Sequence, residues 1–138
     1  PLVSSISIAL SNKNINIPFA FNRKETKSHG ERGDIIGSEI KDKVLVIDDV
    51  ISAGTSINES HNLISLNGGH MSGVVVAIDR QEKGQNELSA TQEVAMKYSV
   101  TVISIINLED IIAYLKSSNR FKSELALIQS YQKSYGII

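Results

Sequence analysis

The chain contains no cysteine, which removes disulfides, thiolate metal sites and cysteine nucleophiles from consideration. It lacks an apolar run long enough to span a bilayer, and its start does not read as a signal peptide. A soluble cytoplasmic protein is therefore the expectation. Charge of one sign is not in excess either: 14 Lys and Arg stand against 15 Asp and Glu, for a net charge of -1. Nothing global draws such a chain to nucleic acid or to an anionic membrane, so any anion binding must rest on local positive charge. Internal repeats and low-complexity tracts are absent as well. What is present is ordinary: 138 residues, 41% hydrophobic and 21% charged. That suffices for a single domain over 1–138 with a real core, and is too short for two.

Hydrophobic periodicity divides the chain into alternating strands and helices. Residues 1–10 place Leu2, Ile6, Ala9 and Leu10 at helical spacing behind Pro1, which suits a first helical turn; the serines and isoleucines leave a strand open. Residues 15–22 read as extended. Residues 43–48 form a continuous apolar strand, which argues for burial on both faces as in a parallel sheet. Further apolar strands follow at 73–79 and 100–106. Helices are expected at 56–67, with Gly68 as C-cap, at 88–98, at 108–115 and at about 121–135. The third is the cleanest, with Leu108, Ile111, Ile112 and Leu115 at i, i+3, i+4 and i+7. This alternation predicts an α/β fold, a mostly parallel β-sheet flanked by helices.

One stretch organises the rest: Val46-Ile47-Asp48-Asp49-Val50-Ile51-Ser52-Ala53-Gly54-Thr55-Ser56. A buried strand runs into two carboxylates, then into a loop of small residues, then into a helix. In α/β folds ligands lie beyond the carboxyl ends of strands. The helix N-terminus offers free amides and a positive dipole end, which suit a phosphate. Ser56 and Glu59 have the spacing of a capping box that would fix the helix start. The plainer alternative is a solvated acidic turn, but adjacent carboxylates repel and need hydroxyl donors or a cation to offset them.

Two further clusters carry chemistry. Residues 23–33, Arg-Lys-Glu-Thr-Lys-Ser-His-Gly-Glu-Arg-Gly, gather Arg23, Lys24, Lys27 and His29 ahead of Gly30 and Gly33. A long polar connection of this kind is commonly functional or disordered, and its cations suit a lid over a polyanion or, more plainly, a solvated loop. Arg80 closes the strand at 73–79, where an arginine is either structural or a fork for a planar carboxylate. His61 and His70 have no partners at metal-ligand spacing, and no Gly-x-Ser-x-Gly elbow supports a hydrolase triad.

The central stretch resembles the signature of type I phosphoribosyltransferases, which bind 5-phosphoribosyl 1-pyrophosphate (PRPP). The resemblance implies that fold and assigns Asp48 and Asp49 to the ribose hydroxyls. It gives Val50, Ile51, Ser52, Ala53, Gly54, Thr55 and Ser56 to the PRPP site, with Ser52 to Ser56 cradling the 5-phosphate. Phe21-Asn22-Arg23-Lys24-Glu25, the Lys27-x-His29-Gly30 spacing and Arg80 resemble the orotate phosphoribosyltransferase family specifically. By that likeness Arg23, Lys24, Lys27 and His29 contact the pyrophosphate, with Lys27 and His29 catalytic. Arg80 and Ser52 hold orotate; Ser52 stands where members often carry threonine. Mg²⁺ is expected on PRPP rather than on a direct protein site. A homodimer whose lid serves the partner's site is implied. The expected reaction joins orotate to PRPP, giving orotidine 5-phosphate and pyrophosphate in pyrimidine synthesis. The alternatives are a non-catalytic PRPP sensor and a phosphoribosyltransferase for another base. Members carry several dozen residues before the point matching Pro1, so the family's N-terminal region is expected to be absent here and this chain alone to turn over poorly.

Overall fold

The computed structural model describes residues 2–22 and 35–137. The elements run in the order α1 (Leu2–Ser11), β1 (Ala20–Asn22), β2 (Ile35–Gly37), β3 (Asp42–Val50), α2 (Thr55–Leu66), β4 (Gly69–Asp79), α3 (Ala90–Tyr98), β5 (Thr101–Asn107), α4 (Leu108–Lys116), a 3-10 turn (Asn119–Phe121) and α5 (Lys122–Tyr135). β3, β4 and β5 form a parallel three-stranded sheet with β4 in the centre, and β1 pairs antiparallel with β2 as a separate ribbon. Parallel neighbours need a crossover, and α2 and α3 supply one each. The parallel α/β architecture expected from the alternating pattern is the one observed.

Register explains the core. Val46 pairs with Val74 and Asp48 with Val76, while Val74 and Val76 pair with Val102 and Ser104. Side chains two apart share a face, so Val46, Val74 and Val76 point together. They meet Ile57 and Ile64 of α2 and Ala90 and Val94 of α3 in one buried cluster, completed by Ile51 and Met71. Ile57, Val74 and Val76 are fully buried. The helix caps are local chemistry. Ser89 accepts from Gln92 N, and Gln92 returns its side chain to Ser89 N; Asn107 and Asp110 repeat this capping box at α4.

Two expectations need correction. The strand at 43–48 was expected to be buried on both faces, yet Leu45 is 54% exposed. The residues on the other face, Leu45, Ile47 and Ile103, lie away from α2 and α3, and among the described helices only α1 packs against β3 from outside that core. The strand also continues through both carboxylates to Val50. The second correction concerns α2. It has no Ser56–Glu59 capping box: Gly54 is the N-cap, in the left-handed region at φ 70°, with no side-chain cap. The turn at Gly54 starts the helix at Thr55, one residue early, and Ser56 is already inside the first turn with its hydroxyl committed elsewhere. The left-handed C-terminal glycine is found as expected at Gly68, φ 83°. α3 and α5 begin slightly later than the periodicity suggests, at Ala90 and Lys122.

Ile57→Ala should destabilise the fold by about 2–5 kcal/mol, the range for emptying a buried isoleucine site. Leu66→Ala on the same helix, where the side chain is 85% exposed, should stay within about 0.5 kcal/mol. Urea unfolding of the two variants checks the contrast.

Candidate active site

The parallel register brings three strand ends to one edge: Val50 lies beside Ile78, and Asp79 beside Asn107. Everything that follows a strand there, residues 51–54 and 80–89, opens on the same side of the sheet. Asp48 and Asp49 therefore stand next to the loop that leads to α2, and Arg80 one strand away.

Asp48 and Asp49 are neighbours on a strand, so their side chains leave on opposite faces. Asp48 accepts from Ser56 Oγ at 2.8 Å through one oxygen and from the Asp49 amide at 2.9 Å through the other. Asp49 is exposed and accepts from the Val50 amide at 2.7 Å through Oδ1. The hydroxyl donor that two adjacent carboxylates require is thus Ser56. The same bond ties the first turn of α2 to the strand end. Thr55, Ser56 and Ile57 carry amides with no intrahelical acceptor, and Gly54 has no side chain to take them. Val94 of α3 stands behind the loop: a Cβ on Gly54 would lie 3.2 Å from its Cγ2. The loop is narrow, polar in its backbone and open to solvent, which suits a bound anion.

The other end of this edge is built around Arg80. Its NH2 donates to Ser52 Oγ at 2.8 Å and contacts Glu82 Oε2 at 2.8 Å, while its Nε is buried with no acceptor. Ser52 thereby links the loop before α2 to the end of β4. The arginine's own backbone is braced by Asp79, whose carboxylate accepts from the Gln81 amide at 2.8 Å and from Thr91 Oγ1 at 2.9 Å. Thr91 in turn meets Ser89 Oγ at 2.9 Å. Gln81 has φ 51°, a left-handed turn that redirects the chain. The C-terminal segment holds the loop from beyond: Ile137 N donates to Gln81 O at 3.0 Å and Lys83 N to Tyr135 O at 2.8 Å.

Of the expected site residues, Asp48, Asp49, Val50, Ile51, Ser52, Ala53, Gly54, Thr55, Ser56 and Arg80 form one continuous edge. Arg23, Lys24, Lys27 and His29 lie outside the described residues. Asp79, Glu82, Ser89 and Thr91 were not assigned from the sequence. Nothing in their spacing distinguishes them from surface polar residues: Glu82 meets Arg80 within one polar loop, Ser89 sits at a helix cap, and Asp79 and Thr91 meet across 12 positions. A cleft of about 290 Å³ between β1, β2, β3 and α2 reaches Asp48 at one end but none of the residues 52–56 or Arg80; the loop itself is an open surface. Among the described residues no cluster of three carboxylates or histidines stands close enough to hold a metal ion, and no helix is long and apolar enough to cross a membrane.

No family model matches the chain. Over 138 residues it is 47% identical to the orotate phosphoribosyltransferase of Pseudoalteromonas translucida and 46% identical to that of Hahella chejuensis. Each alignment takes in 99% of this chain and 64% of the relative, so the chain spans just under two thirds of the length of these curated relatives. Its fold superposes on the crystal structure of orotate phosphoribosyltransferase from Francisella tularensis with a TM-score of 0.80 at 36% identity, over 99% of this chain and 62% of that one. It also matches Leishmania donovani UMP synthase in fold, with a TM-score of 0.69 over 26% of that chain.

The loop after Arg80 carries its own pH sensitivity. Backbone hydrogen bonds from Gln85 and Asn86 hold the Glu93 carboxyl below its ordinary value of 4.5. A carboxylate depressed by folding stabilises the native state above its unfolded value and loses that contribution as pH falls through the folded one. Wild type should therefore lose thermal stability relative to Glu93→Gln as pH drops below about 4.5, with no such convergence between pH 6 and 8. Melting midpoints of both proteins across that range test this.

Proposed function

We propose that this chain, which matches the orotate phosphoribosyltransferase family in sequence and in fold over 99% of its length, carries the PRPP site and part of the base site of such an enzyme. The reaction transfers the 5-phosphoribosyl group from PRPP to orotate, releasing pyrophosphate and forming orotidine 5-phosphate, a glycosyl transfer of pyrimidine synthesis. The observation that carries this reading is the Arg80–Ser52 hydrogen bond at 2.8 Å. It sets a guanidinium, suited to a planar carboxylate, against the mouth of a loop suited to a phosphate. A sugar phosphate on that loop has its ribose hydroxyls at Asp48 and Asp49 and its anomeric carbon toward Arg80.

Bond formation at C1 leaves positive charge on the ribose while negative charge builds on pyrophosphate. The protein's contribution is to hold both reactants in line and to stabilise the leaving charge. Asp48, fixed by Ser56, orients the sugar. Arg23, Lys24, Lys27 and His29 are assigned to the pyrophosphate, with Lys27 and His29 nearest the chemistry. Closure of that segment would exclude water and limit PRPP hydrolysis. Mg²⁺ commonly binds through one or two carboxylates, water and substrate phosphates. The ion is assigned to PRPP itself, where it would neutralise phosphate charge, rather than to a direct protein site. A homodimer sharing residues 23–33 between subunits, and a cytoplasmic setting, complete the reading.

Base preference is the decisive measurement. Release of pyrophosphate from PRPP should be faster with orotate than with hypoxanthine or uracil; preference for either of the others overturns the assignment. Lys27→Ala should lower turnover by about 10²-fold or more, as loss of a transition-state charge contact does, while binding of a nucleoside 5-phosphate persists. Equal turnover would leave residues 23–33 without their assigned role.

A further inference from the structure

Arg80 is expected to hold the carboxylate of the base, yet its terminal nitrogen NH2 already has two partners. That nitrogen donates to Ser52 Oγ at 2.8 Å and stands 2.8 Å from Glu82 Oε2 as an ion pair. A guanidinium receives a carboxylate in a fork, either through NH1 and NH2 or through Nε and NH2. Both forks use NH2, so a carboxylate arriving at either one meets the Glu82 carboxylate already paired with that nitrogen.

Glu82 is the partner that must leave. Ser52 is neutral and can turn its hydroxyl to donate to an arriving carboxylate, whereas Glu82 would face it as a like charge at close range. Glu82 is also held in place by its backbone rather than its side chain. Its carbonyl accepts from the Ala90 amide at 3.2 Å, and it bridges to Gly136 across the C-terminal segment. The carboxylate can therefore swing away without loosening the loop. The free protein also carries a cost that exchange can relieve: Nε is buried without an acceptor, and an orphaned buried donor is unfavourable.

Resting on the reading of Arg80 as the base-carboxylate site, we infer that Glu82 is an internal stand-in for that carboxylate. It occupies Arg80 in the free protein, is exchanged for the substrate's carboxylate on binding, and so sets which bases can enter. A base without a carboxylate cannot replace the ion pair and meets an arginine whose charge is already paired. A base with one exchanges like for like.

Titration calorimetry of wild type and Glu82→Gln with orotate and with uracil, in the presence of saturating inorganic pyrophosphate and ribose 5-phosphate, tests this. Glu82→Gln keeps the side-chain shape and every backbone bond but removes the competing charge. Orotate should bind about 3- to 10-fold more tightly to the variant, the span expected from releasing a partly exposed ion pair. Uracil, the same ring without the carboxylate, should bind both proteins alike. With melting midpoints unchanged, unaltered or weaker orotate binding overturns the exchange and makes Glu82 a simple brace for Arg80. Equal tightening of uracil overturns it too, as a non-specific effect. Failure of both proteins to bind orotate, with ribose 5-phosphate still bound, removes the base assignment itself and this inference with it.

Discussion

Parallel pairing of β3 on β4 and of β4 on β5 is the constraint on which the site depends. It aligns Val50 with Ile78 and Asp79 with Asn107, so two loops far apart in sequence leave the sheet side by side. Ser52 and Arg80 are 28 positions apart and share a hydrogen bond for that reason alone. The register is held by burial: Val46, Val74 and Val76 face α2 and α3, and a slip of one residue would turn them to the opposite side. The same slip would exchange the directions of Asp48 and Asp49, and Ser56 would lose its acceptor. Core packing and site geometry thus rest on one choice of register.

Around that edge the polar groups brace one another in two small networks. In the first, Ser56 ties α2 to Asp48. In the second, Asp79 is satisfied by the Gln81 amide and Thr91, which orients the chain at Arg80 before any ligand is present. Such networks hold only while each member keeps its partner. This is why Ser89 and Thr91, buried at 2% and 8% exposure, matter to a site they do not line. They belong to the N-terminus of α3, and that helix is also the wall behind Gly54.

Much of this was legible in the residues themselves. Paired carboxylates after an apolar strand and before a small-residue loop require hydroxyl donors and free amides, and those needs are local enough to read from spacing. The helix start was misjudged because Ser56 and Glu59 have capping-box spacing while the fold gives Ser56 a stronger acceptor in Asp48, eight positions back. Local propensity yielded to a tertiary partner. Exposure of Leu45 was illegible for a related reason: an apolar run reports that a face is apolar, not that something covers it. Arg80 was singled out by the resemblance to orotate phosphoribosyltransferases, since position at a strand end alone favours a structural role, whereas Glu82, two residues on, looks like any charge in a polar loop. Its meaning lies in a rotamer, and no periodicity encodes one.

The charge balance of the described edge points outward. Asp48, Asp49, Asp79 and Glu82 stand there beside Arg80, an arrangement that by itself repels a sugar phosphate. The amides at the start of α2 offset part of one phosphate, and no more. A polyanion therefore needs additional positive charge, and in a chain of net charge -1 it must come from a local concentration. Residues 23–33 hold Arg23, Lys24, Lys27 and Arg32 against Glu25 and Glu31, the local excess that the proposed reading assigns to pyrophosphate. In the proposed reading the acidic edge, with its carboxylates fixed by Ser56 and Thr91, would hold a sugar phosphate weakly without those cations, so that tight binding would be tied to the assembled site.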